Sequence, residues 1–123
     1  MTSEQRQLRQ TLIFLRTSFE AVQHSIAGRL DDPLPCWLDT GMLSMLSREL
    51  HRVAAQGRTL FTVPVQQQLY IADQQCDLLL RQCPGVMSSA ICHRQLGAIL
   101  LPLSAAIANI AVPAPKRRWF WQR

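Results

Sequence analysis

The sequence predicts an all-α fold: an antiparallel up-down four-helix bundle with a basic, aromatic C-terminal tail. Three observations predict it. Four long stretches repeat apolar residues at spacings of three and four. Each stretch is bounded by proline, glycine or a capping residue. No run alternates with period two for long enough to make a strand. Short connections between long helices favour antiparallel neighbours. The expected organisation is one helical domain over 1–115 and a tail over 116–123.

The first helix is expected at about 4–27. Leu8, Leu12, Leu15, Phe19, Val22 and Ile26 recur on one face. Ser3 is the expected N-cap, Glu4 suits the helix dipole, and Gly28 is the expected stop. A connector, Asp31-Asp32-Pro33-Leu34-Pro35, follows.

The second helix is expected at about 36–56, with Leu38, Met42, Leu46, Leu50 and Val53 as its stripe and Gly57 as its end. Arg58 to Thr62 reads as a loop that tucks Phe61 into the core. Thr62 and Pro64 then open a third helix at about 63–82, because serine or threonine caps and early proline suit a helix start. Its stripe is Leu69, Ala72, Cys76, Leu79 and Cys83, and Pro84-Gly85 stops it.

Ser88 or Ser89 caps the fourth helix, which carries Cys92, Leu96, Ile99, Leu103, Ile107 and Ile110 toward Pro113. Pro102 lies inside this pattern, where it removes a backbone hydrogen bond and is expected to kink the helix.

Composition bounds the class. The chain has 123 residues, 48% of them hydrophobic and 17% charged, which is too apolar for disorder. The polar start, MTSEQRQLRQ, has no apolar run of the secretory kind, so a cytoplasmic location is expected. The four cysteines are then reduced thiols, and those on the stripes read as small core hydrophobes. No metal or other cofactor is expected. Ser89-Ala90-Ile91-Cys92-His93 lacks the first cysteine of a haem attachment sequence, and no CxxC pair occurs. HExxH, GxSxG and P-loop patterns are absent, so nothing in the sequence argues for an enzyme.

The fourth helix is the feature that asks for a function. From Gln95 to Pro115 no residue is charged. The positions opposite its core stripe are Ala98, Leu101, Ala105, Ala108 and Val112. A bundle helix normally keeps a polar face toward water. Three coverings are expected candidates: the other helices of the chain, a protein partner or second copy, and a membrane. The stretch is long enough to span, but Pro102, Ser104 and Asn109 would fall near the hydrocarbon centre.

Two basic features widen the choice. The tail holds Lys116, Arg117, Arg118 and Arg123 beside Trp119, Phe120 and Trp121, which suits a protein partner, anionic lipid or single-stranded nucleic acid. Arg6, Arg9 and Arg16 on the first helix and Arg48 and Arg52 on the second would form a basic face if those helices pack side by side. The expectation is an accessory or adaptor protein that binds protein through the fourth helix and the tail. The alternatives are a nucleic-acid-binding accessory protein and a peripheral membrane protein anchored by its C-terminal segment.

Overall fold

A computed structural model describes residues 2–29, 40–82 and 88–110. Four helices make up almost all of it: α1 (Ser3–Ile26), α2 (Thr40–Leu60), α3 (Val63–Gln82) and α4 (Ser89–Asn109). A single 3-10 turn, Ala27–Arg29, follows α1. The described residues contain no strand. Thr2 rather than Ser3 caps α1. The Thr2 hydroxyl accepts from the Gln5 N–H at 3.1 Å and the Gln5 Oε1 accepts from the Thr2 N–H at 2.9 Å. This reciprocal box satisfies two donors at once, which a Ser3 cap with no acceptor side chain three residues on would not do.

All six stripe residues of α1 are buried. On α3, Leu69, Ala72, Cys76 and Leu79 are fully buried, and Val65 joins them. The stripe of α4 is buried from Cys92 to Ile110, with Pro102 and Ala106 added to it. Helix α2 departs from expectation. Its stripe is Leu43, Leu46, Leu50 and Val53, and Met42 lies outside it, 37% exposed. Nor does α2 stop at Gly57; it runs three residues further, to Leu60. Gly57 is buried, and the Phe61 ring occupies the place where a side chain would stand. The glycine serves a close approach here, not a left-handed cap. Phe61 closes the corner between α2 and α3 as a core residue.

Helix α4 ends at Asn109, short of Pro113. The Asn109 side-chain amide donates back to the Ala105 carbonyl at 2.8 Å. Ile110 leaves the helical region at φ −73° and ψ 123°. Side-chain bonds of this kind compete with the helix ladder. Leu38, Cys83, Val112, the two proline connectors and the tail from Lys116 to Arg123 lie outside the described residues.

The helices pack in four pairs: α1 with α2, α2 with α3, α3 with α4, and α4 with α1. The α3–α4 pairing is the most extensive. Gln5 at the start of α1 donates to the Leu60 carbonyl at the end of α2. Gln23 near the end of α1 donates to the His93 carbonyl near the start of α4 at 3.1 Å. A small cavity is lined by Gln5, Leu60, Thr62, Val65, Asn109 and Ile110, so the start of α1, the end of α2, the start of α3 and the end of α4 meet there.

Candidate interaction surface

The geometry of the α3–α4 seam decides what α4 shows to solvent. Gln95 on α4 donates to both the carbonyl and the side chain of Gln75 on α3, at 3.0 and 2.9 Å. These bonds fix the register. On α3, Ile71 and Leu78 lie one turn either side of Gln75, and on α4, Ile91 and Ala98 lie one turn either side of Gln95, since residues three and four apart share a helix face. Ile71, Leu78 and Ile91 are each about two-fifths exposed. Leu101 is 77% exposed, the most solvent-facing large apolar side chain among the described residues.

The expected outer face of α4 is therefore partly assembled. Ala98 and Ala105 are half-buried, while Leu101 and Ala108 face solvent. Val112 lies outside the described residues. Burial of α4 by the other helices covers one side and leaves this one. Sequence reasoning missed the contribution of α3. Ile71 and Leu78 are seven apart, each one residue before a core position, which is a second apolar line that periodicity could have revealed. By length and composition, helix α4 is also apolar enough to cross a membrane.

The five arginines sit in different surroundings. Arg9 and Arg16 share a heptad line with Gln23, which bonds α4. Arg52 lines instead a largely polar groove of about 700 Å³ between α1 and α2, with Gln7, Thr11 and Gln56. Its guanidinium is held by Glu49 and, at 3.1 Å, by Gln56. The hydrogen bond from Arg52 lowers the Glu49 carboxyl below its ordinary value and raises the guanidinium in turn. Arg6 and Arg48 are exposed.

One polar cluster was not legible in the sequence. His51 on α2 bonds the carboxylate of Asp73 on α3, Nδ1 to Oδ2 at 2.9 Å. Asp73 is 7% exposed, and its other oxygen is buried with no hydrogen-bond partner. Cys76, one turn along α3, is fully buried and hydrogen-bonded to Ser47. Burial pushes the Cys76 thiol up to about 11, with the Asp73 and Asp77 charges adding to the rise and Ser47 opposing it. A thiol so placed is a core side chain, not a nucleophile, because the thiolate is the reactive form. The pair borders a groove of about 530 Å³ between α2 and α3, walled by Ala54, Val63, Gln66 and Tyr70. Among the described residues no three potential metal ligands come together.

Comparison of the chain with protein-family models, with curated proteins and with solved structures finds no match in any of the three.

Proposed function

We propose that the chain is an antiparallel up-down four-helix bundle that works as a non-enzymatic accessory or adaptor protein, binding protein through the outer face of α4 and the basic, aromatic tail. One observation carries the reading: Leu101 stands 77% exposed at the middle of a helix with no charged residue from Gln95 to Asn109. Apolar surface of this kind costs free energy in water, and contiguous patches mark interaction sites. The hydrogen bonds from Gln5 to Leu60 and from Gln23 to His93 support the up-down order, since each joins the start of one helix to the end of another or the reverse.

The test is affinity capture with the intact chain and two variants. Leu101→Glu places a charge on the α4 face, and Phe14→Glu places one on a 58% exposed site of α1. A partner retained by the wild type and by Phe14→Glu, lost with Leu101→Glu, and insensitive to salt is the expected result. Retention of RNA or DNA at low salt that fades near ~200 mM would overturn the reading, because phosphate contacts weaken steeply with salt.

A further inference from the structure

Asp73 is a buried carboxylate with much of its acceptor capacity unused. Its side chain is 9% exposed, and His51 Nδ1 meets it at Oδ2. Oδ1 is buried with no hydrogen-bond partner among the described residues. A carboxylate has about four lone-pair sites, and leaving them short of donors away from water is costly. An acid kept in such a place calls for a donor that the chain itself does not supply.

The carboxylate borders a cavity of the right kind. The groove of about 530 Å³ between α2 and α3 falls within the range of small-molecule pockets. Tyr70 lines it one turn before Asp73, so an exposed aromatic side chain adjoins the acid. On α2, Ala54 and Ala55 follow His51 by one turn and line the groove with short side chains. Val63 and Ile71, both exposed, add apolar surface. One buried acid beside an apolar and aromatic lining suits a cation on an apolar body. The groove's own cation, Arg58, follows His51 by seven residues, about 10 Å along α2, and is exposed. At physiological salt its charge is largely screened from a ligand at Asp73.

His51 is the replaceable part. Its side chain is 71% exposed, so turning it into water gives up one hydrogen bond and little burial. That movement opens Oδ2 to the groove. A primary ammonium brings three donors to the acid where the imidazole directs one, and its bonds are charge-assisted. The neighbouring Tyr70 ring attracts the same cation.

We propose that the α2–α3 groove binds a small primary amine with an apolar body, whose ammonium takes the place of His51 on the Asp73 carboxylate while its body lies against Tyr70 and Ala54. The site is separate from the outer face of α4 and does not depend on the adaptor reading.

An NMR titration of the isotope-labelled intact chain with tryptamine tests it. Tryptophol, which has the same shape and no positive charge, is the control ligand. Tryptamine is expected to give saturable shifts at His51, Ala54, Tyr70 and Asp73, with a dissociation constant at least ~tenfold below that of tryptophol. Asp73→Asn keeps the size of the side chain and is expected to erase the difference between the two ligands, with circular dichroism checking the fold. His51→Ala is expected to bind tryptamine several-fold more tightly, since no ring has to be displaced. Leu101→Glu is expected to bind as the wild type does. Equal affinity of the wild type for the two ligands would overturn the proposal, and that comparison needs no variant. Shifts centred outside the groove, the absence of saturable binding, or weaker binding by His51→Ala would each overturn it as well.

Discussion

A Cβ atom placed on Gly57 would lie 2.8 Å from Cδ2 of Phe61, closer than real side chains approach. The two residues are also joined through the backbone, Phe61 N–H to Gly57 carbonyl at 2.9 Å. The corner between α2 and α3 is thus built by stacking an aromatic ring on a bare stretch of helix. Glycine in a helix interior ordinarily costs about 1 kcal/mol relative to alanine. Gly57→Ala recovers that and forces the ring to move, and overpacking of this kind costs about 1–3 kcal/mol. The expected result is net destabilisation by urea denaturation. In a Phe61→Leu background the same substitution is expected to stabilise, because the ring edge is gone. Equal effects in both backgrounds would show that the approach is unimportant.

The His51–Asp73 pair predicts an asymmetric cost. Asp73 is buried with one oxygen already unpartnered, while the His51 side chain is 71% exposed. His51→Ala leaves the whole carboxylate without a hydrogen bond, a loss of about 1–3 kcal/mol for a buried polar group. With Asp73→Leu already made, the histidine has nothing to bond, and His51→Ala is expected to cost little. A double-mutant cycle by denaturation reads the difference. Additive effects would mean that the pair contributes nothing.

Cys76 predicts how stability changes in alkali. Its thiol rises from an ordinary 9.0 to about 11 in the folded chain. Above pH 9 the unfolded chain releases the proton and the folded one retains it. The unfolded state then binds fewer protons, so stability falls as pH rises and levels off above about 11. A rise of that size corresponds to a loss of roughly 2–3 kcal/mol across that window. Cys76→Ala should flatten the fall. The same burial makes Cys76 slow to alkylate at neutral pH, which residue-resolved mass spectrometry can check; prompt labelling of the folded protein would contradict the buried placement.

Much of this fold is legible from periodicity. The stripes of α1, α3 and α4 stand out because their apolar residues follow one helical line without interruption. Helix α2 misleads because Met42 and Leu43 are adjacent and both apolar, so spacing alone does not choose between them. Gly57 misleads because glycine marks a cap and a close approach equally well in sequence. The outer face of α4 is legible as an absence of charge. The exposed Ile71 and Leu78 that extend it are harder to read, because which neighbour flanks α4 depends on tertiary register. Nothing in the sequence pairs Asp73 with His51, and only the packing of α2 on α3 brings them together.

Pro102 predicts a stabilising change. It sits in the middle of α4, fully inside the helix, and is itself buried. Proline has no N–H, so the carbonyl of Ala98 loses its helical donor, and the interior position costs about 3 kcal/mol relative to alanine. Pro102→Ala restores that bond. It also removes two buried methylenes at about 0.8 kcal/mol each. The gain exceeds the loss by roughly 1 kcal/mol. The expected outcome is a higher melting temperature, by a few degrees for a chain of this length. A fall in melting temperature would mean that the ring's packing in the core outweighs the missing hydrogen bond.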